Sequence, residues 1–266
     1  MTTALGFIGT GTITHAIVTG LCNAPDPSPQ IWVSPRSNRR ARELAASYPN
    51  VHVASSNQEV LDRTDTVLLA VLPQIAQSVL EELVFKDSHH CISLVAGLSH
   101  ESLLHLIRPA THWTRVTPTP AVGLRRGPIA MYPPDPETLA LFSRIGEPVA
   151  VQQESEFEAL VACSAEMAAF FELLQACMKF MMDCGVPVES ARQYSASLFG
   201  ALGNTALCRH ELTFEQLAHE HTTPGGINEQ LARELAEAGV FMAHKQCLER
   251  ILARLIGSRR AADQDR

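Results

Sequence analysis

The stretch Leu5-Gly6-Phe7-Ile8-Gly9-Thr10-Gly11-Thr12-Ile13-Thr14 decides the fold. Its apolar start reads as a buried strand, the glycines as a tight turn, and the residues from Thr12 onward as the beginning of a helix. In that setting Gly9 permits the turn, and Gly11 lets the backbone approach a pyrophosphate at the positive end of the helix. The third glycine of the G-x-G-x-x-G pattern is replaced by Thr14, at the position where helix packs on strand. A small β-branched residue there is expected to loosen the packing while leaving the phosphate unobstructed.

Working outward, β-branched runs alternate with helical stretches, a pattern that makes parallel strands joined by crossover helices. Strands are expected near residues 4–8, 30–34, 51–54, 66–71, 91–96, 113–117, 129–132 and 148–151. Helices are expected over 12–23, 37–47, 57–62, 74–83, 99–107 and 136–145. Beyond about residue 153 only helical periodicity remains. A capping box at Ser155-Glu156-Phe157-Glu158 opens one long helix that ends at Gly185 and Pro187. Helices near 188–208, from the Thr213-Phe214-Glu215-Gln216 box, and near 226–238 and 240–256 follow. The fold class is therefore α/β: a Rossmann-type parallel sheet over 1–152, an all-helical dimerisation and substrate domain over 153–257, and a flexible tail over 258–266.

The helical half carries more apolar surface, including Phe171, Leu174, Leu198, Phe199, Leu202 and Leu207, than it can bury by itself, which predicts a homodimer through this domain. A higher oligomer stays open. With 266 residues, 46% of them hydrophobic, the chain has enough apolar side chains for packed cores. Its formal charge of −7 argues against a nucleic-acid surface. No apolar run of about 18 residues offers a membrane span, so a soluble cytoplasmic protein is expected. The seven cysteines never form a C-x-x-C pair and read as reduced thiols. His89-His90 and His219-Glu220-His221 lack the i, i+4 spacing and third ligand of a metal site, so no metal is expected.

The end of the second strand selects the nucleotide. From Pro27 to Arg42 there is no Asp or Glu to hold a free ribose diol. Ser34, Arg36, Ser37 and one of Arg39 or Arg40 would instead surround a 2′-phosphate, so NADP(H) is the expected cofactor. Gly9, Thr10, Gly11, Thr12 and Ile13 form its pyrophosphate turn. Ala70, Val71 and Pro73 after the fourth strand, and Ala96 and Gly97 after the fifth, flank its ribose and nicotinamide.

Several further segments carry a family likeness: Leu69-Ala70-Val71-Leu72-Pro73-Gln74, Ser93-Leu94-Val95-Ala96-Gly97-Leu98, Arg115-Val116-Thr117-Pro118, and above all Thr222-Thr223-Pro224-Gly225-Gly226 followed by Leu235-Ala236-Glu237-Ala238-Gly239. In these the chain resembles the pyrroline-5-carboxylate reductase family over nearly all its length. The resemblance implies an N-terminal NADPH domain, a C-terminal dimerisation domain, an active site where the domains meet, and hydride delivery to the C=N carbon of a cyclic imine carboxylate. It places Thr119, Thr223, Pro224, Gly225, Gly226 and Asn228 around the substrate. The Pro-Gly-Gly turn also makes independent sense, because free backbone N–H groups at a helix start suit a carboxylate.

The sequence departs from the family where its paired threonines become Ile227 and Asn228, where Leu72 replaces a lysine before Pro73-Gln74, and where Thr117-Pro118-Thr119-Pro120 lacks an asparagine. The family's Gly-Ser-Gly-Pro-Ala-Tyr segment is replaced near Ser164-Ala165-Glu166-Met167-Ala168-Ala169. Glu166 stands there among apolar neighbours and is the expected proton partner of the substrate nitrogen, with Asn228 as an amide donor. The alternatives are a β-hydroxyacid dehydrogenase-like oxidoreductase and a non-catalytic NADP-binding regulator.

Overall fold

The computed structural model describes residues 4–36 and 38–264. The chain separates into two compact units, one holding the chain through Ala162 and returning at Leu252, the other spanning Cys163–Ile251.

The first unit is built on an eight-stranded sheet of order β3-β2-β1-β4-β5-β6-β7-β8. Its strands are β1 (Leu5–Ile8), β2 (Ile31–Val33), β3 (Val51–Val53), β4 (Thr66–Leu69), β5 (His90–Ser93), β6 (His112–Pro118), β7 (Pro128–Tyr132) and β8 (Glu147–Ala150). Helices α1 (Thr12–Cys22), α2 (Asn38–Ser47), α3 (Asn57–Arg63), α4 (Pro73–Glu81), α5 (His100–Leu106) and α6 (Pro136–Phe142) connect them. The eight expected strands and six expected helices are all present. Strands β1 and β4 are buried at every residue, as a sheet covered on both faces requires. One apolar layer gathers Ile17, Val18, Leu21, Leu44, Phe142 and Ile145, and the other gathers Val60, Leu61, Leu80, Leu103 and Ile107. The sheet is sandwiched between them.

The last two strands, β7 and β8, run against the other six and break the expected parallel order. β7 runs antiparallel to β6, pairing Arg115 with Tyr132 and Pro118 with Ile129. The reason is the connection: only a 3-10 turn over Pro120–Leu124 joins these strands, too short for a crossover helix. This turn lies close against α1, where a Cβ at Gly20 would stand 2.3 Å from the carbonyl oxygen of Val122.

After β8, helix α7 (Glu154–Cys163) stays with the first unit. Arg115, buried on β6, pairs with Glu154 at 2.5 Å and lies 4.7 Å over the Phe157 ring. Helix α7 is thus tied to the sheet by side-chain contacts. The start of α7 differs from the expected box at Ser155. The helix begins a residue earlier, and the Glu156 carboxylate accepts the N–H groups of Gln152 and Gln153 at 3.1 and 3.0 Å.

The second unit contains α8 (Glu166–Asp183), α9 (Val188–Cys208), α10 (Phe214–Glu220) and α11 (Ile227–Glu237), and α12 (Val240–Gln264) begins in it. The single long helix expected from residue 155 is therefore two helices, parted at Ser164 and Ala165. No glycine or proline marks the break, which falls where the chain leaves the sheet for the helical unit. The Thr213 capping box forms as expected, with both reciprocal bonds made. The tail expected from 258 is instead helical to Gln264, and Asp265 and Arg266 lie outside the described residues. No described helix is long and apolar enough to cross a membrane.

Candidate functional site

The glycine turn is held by its neighbours more tightly than the sequence suggests. Gly9 has φ of +103°, and a Cβ there would stand 2.5 Å from the carbonyl oxygen of Ala70. Only glycine lets β1 pass so close to the end of β4. Gly11, the N-cap of α1, would by contrast point a Cβ into open space, leaving its backbone accessible from the carboxyl edge of the sheet. Gly9 N–H donates to Ser34 Oγ at 2.9 Å, and the Thr10 hydroxyl donates to the Ser34 carbonyl at 2.8 Å.

One expectation changes here. Thr14 does not loosen the helix: it is fully buried, and its hydroxyl donates to the Gly9 carbonyl at 2.7 Å. The residue in the third glycine's place is thus a brace for the first. Ser34, also fully buried, accepts the Gly9 N–H at its hydroxyl and lines the cavity over the turn.

A cavity of about 470 Å³ opens over this turn, lined by Gly9, Thr10, Gly11 and Thr12 from the turn, Arg36 and Arg40 after β2, Asn57 at the start of α3, and Ala70 and Val71 after β4. It lies at the crevice where the chain leaves β1 for β2 on one side and β4 on the other, the topological switch point of such sheets. Among the described residues that line it there is no Asp or Glu. The donors fit a nucleotide: backbone amides at a helix start for a pyrophosphate, and two guanidinium groups for a further phosphate.

Arg40 lines the cavity, while Arg39 is exposed beside Glu43 at 3.7 Å. Ser37 lies outside the described residues. Ile13 turns away and packs against the core. Pro73 is the exposed first residue of α4, and Ala96 and Gly97 follow β5 at the same carboxyl edge, but none of the three lines this cavity. Asn57, Leu72, Ile75 and Val79 were missed. Asn57 had a usable signal, since Ser56 caps α3 just beyond the carboxyl end of β3.

In the helical unit, Gly225 adopts φ of +76° and Gly226 is the N-cap of α11. The turn closes through Gly226 N–H to the Thr223 carbonyl at 2.7 Å. Two of its donors are engaged from within. Gly225 N–H donates to Glu229 Oε2 at 2.6 Å, and the Asn228 side-chain amide donates to the His221 carbonyl at 2.8 Å. Asn228 therefore fastens the turn where a free amide donor was expected. The N–H groups of Ile227 and Asn228 have no intrahelical carbonyl to reach, by the geometry of a helix start. Glu166 is the first residue of α8, and its carboxylate meets His244 Nε2 of α12 at 2.7 Å, with both side chains partly exposed. Thr119 precedes the 3-10 turn without capping it.

Residues 4–97 match the family described as NADP oxidoreductase coenzyme F420-dependent, and residues 154–256 match pyrroline-5-carboxylate reductase dimerisation. The pyrroline-5-carboxylate reductase of Haemophilus influenzae is 31% identical over 210 residues, covering 74% of this chain and 76% of that protein. Two solved structures share the fold. That of a pyrroline-5-carboxylate reductase from Coxiella burnetii has a TM-score of 0.84 at 24% identity, covering 97% and 99% of the two chains. That of Plasmodium falciparum pyrroline carboxylate reductase with NADP bound has a TM-score of 0.81 at 18% identity, covering 97% and 98%. A Rossmann-type sheet with its phosphate turn, followed by such a helical unit, defines a class of two-part nicotinamide-dependent oxidoreductases. Within that class, the chain belongs to the pyrroline-5-carboxylate reductase family.

Proposed function

We propose that this protein reduces a cyclic imine carboxylate with NADPH, pyrroline-5-carboxylate to proline being the default reaction. The observation that carries the reading is the cavity over the glycine turn, which combines a phosphate-ready helix start with Arg36 and Arg40 and no carboxylate. When bound, the cofactor supplies the hydride that reduces the C=N carbon. Gly11 and the first turn of α1 hold its pyrophosphate, Arg36 and Arg40 read its 2′-phosphate, and Thr14 and Ser34 keep the turn in shape. Ser37, Ala96, Gly97 and Pro73 stay as candidates for its remaining contacts.

On the substrate side, the amides at the start of α11 receive the ring carboxylate, with Thr119, Thr223, Pro224, Gly225 and Gly226 as its candidate surroundings. Glu166 is the candidate proton partner of the ring nitrogen and acts as a pair with His244. A substrate that arrives as iminium needs little more than positioning, so Glu166→Gln is expected to shift the pH profile more than it lowers kcat. An unchanged profile would remove Glu166 from the mechanism.

A homodimer forms through the helical unit, and the site of action is the cytoplasm. Support for the dimer lies in helices α8 and α11, which bury none of their residues within the chain while exposing Phe171, Phe180, Ile227 and Leu231. The test is consumption of NADPH absorbance by the purified protein with pyrroline-5-carboxylate, other cyclic imines and small 3-oxo acids. Turnover confined to 3-oxo acids would replace the proposal with a β-hydroxyacid dehydrogenase-like reaction, and NADPH binding without any turnover would leave a regulator.

A further inference from the structure

At the amino-terminal edge of the sheet, opposite the nucleotide crevice, β5 and β6 each begin with a histidine. Their parallel register sets His90 directly beside His112, and the two imidazoles stack with centroids 3.6 Å apart and planes within 2°. Asp135, the N-cap of α6, completes the group. Its Oδ1 is 3.6 Å from His90 Nε2, and its Oδ2 is 2.8 Å from His112 Nε2.

We propose that His90, His112 and Asp135 bind a divalent transition metal of the zinc class. Two nitrogen or oxygen ligands of a tetrahedral zinc ion, each about 2.0–2.2 Å from it, stand about 3.3–3.6 Å from each other. The three ligand atoms lie within 4.8 Å of one another, so ligation requires the two imidazoles to tilt out of their parallel stack and the carboxylate to turn one oxygen toward both. Two imidazoles and a carboxylate are also the donor set that borderline metals select over calcium or magnesium.

Independent support comes from the far side of His90. Its side chain is only 5% exposed, and its Nδ1 is buried without a hydrogen-bond partner. The nearest acceptor is Glu137 Oε2, 3.6 Å away. A buried ring nitrogen left without a partner is costly, which marks the site as built for a group that fixes this ring. With Nε2 on the metal, the ring proton resides on Nδ1 and points at Glu137, giving the carboxylate–histidine–metal arrangement that orients such ligands. The proton that His112 now shares with Asp135 moves to its own Nδ1, so neither ring must change charge. Thr138 Oγ1, 3.2 Å from His90 Nε2, gives up that contact.

His90 and His112 line a cavity of about 650 Å³ together with Asp65, Ser88 and Glu137, which leaves solvent access to the group. Arg144 is the cation among its described lining residues, and it is turned aside to the carbonyls of Asp26 and Pro27 at 3.2 and 3.0 Å. No residue lines both this cavity and the nucleotide cavity. The metal is therefore a clasp joining β5, β6 and α6, separate from hydride transfer.

The test uses the full chain freed of metal by a chelator, titrated with Zn²⁺ by calorimetry and with Co²⁺ by visible absorption. Expected are one equivalent of Zn²⁺, a higher Tm on binding, and the intense visible bands of four-coordinate Co²⁺. His112→Gln, at a half-exposed position that leaves the core intact, should weaken Zn²⁺ at least 10-fold and abolish the Co²⁺ bands. Glu137→Gln should weaken Zn²⁺ by about 10-fold or more through the outer contact. The double variant H219Q/H221Q should bind like the parent. Equal binding by His112→Gln and the parent, loss of binding in H219Q/H221Q, or no saturable binding at all would each overturn the proposal.

Discussion

Glu229 gives the sharpest test of how the substrate carboxylate is held. Its carboxylate sits on Gly225 N–H at 2.6 Å, on one of the donors assigned to the substrate. A carboxylate-bearing substrate must displace it to use that amide. A hydrogen bond to a charged group is worth about 1.5–3 kcal/mol when well buried. Glu229 is only half-buried, and solvent screening reduces this to about 0.5–1 kcal/mol. At about 1.4 kcal/mol per factor of ten, Glu229→Gln should lower KM for pyrroline-5-carboxylate by about 2–5-fold with kcat unchanged. The same change weakens the start of α11, so Tm should fall by about 1–4 °C. Steady-state kinetics with a second substrate isolate the effect: the cyclic imine lacking the carboxylate should show the same KM with both proteins. If Tm falls while KM for the acid does not move, Glu229 is only a helix cap and the carboxylate binds elsewhere.

Four other expectations follow from the first unit. Arg36→Ala combined with Arg40→Ala should weaken NADPH by at least about 10-fold and leave NADH unchanged, read by fluorescence titration, since only the 2′-phosphate distinguishes them. Gly9→Ala should abolish nucleotide binding, because its Cβ meets the Ala70 carbonyl at 2.5 Å and its φ is positive; isothermal titration would show it. Cys91, whose thiol burial pushes up to about 12, should resist alkylation in the native protein and react on unfolding, as mass spectrometry of labelled peptides would show. His89 accepts Lys86 N–H at Nδ1, so its Nε2 carries the proton and donates to the Leu61 carbonyl. Burial lowers its pKa below 6.5, so the unfolded chain takes up the proton first. Stability should then fall as pH drops below about 6.5, and His89→Gln should flatten that dependence in chemical denaturation.

The sheet was legible because its strands are short, apolar and separated by helices with capped starts, each a local signal. The reversal of β7 and β8 was not, since direction depends on whether a connection can cross the sheet, and the 3-10 turn carries no helical periodicity. At the nucleotide site the glycine turn and the arginines could be read from composition, whereas the roles of Ser34 and Thr14 could not. The Ser34 hydroxyl meets Gly9 from the end of the neighbouring strand, and the Thr14 hydroxyl reaches back to it from the first turn of α1. The occupied donors of the Pro-Gly-Gly turn escaped because a free amide and a self-capped one look alike in sequence. His90, His112 and Asp135 show no motif spacing because strand register and a helix cap, and not helical repeat, bring them together. The break at Ser164 and Ala165 has no local marker at all.

The contact between Ser34 and the glycine turn bears on how cofactor preference could be exchanged among relatives. Through one hydroxyl and one carbonyl, Ser34, the residue that follows β2, is stitched to the glycine turn. The arginines proposed to read the 2′-phosphate, Arg36 and Arg40, come after it. A graft spliced after Ser34 would carry a new preference into an undisturbed cradle, and one spliced a single residue earlier would bring in a foreign anchor and slacken the cradle for either dinucleotide.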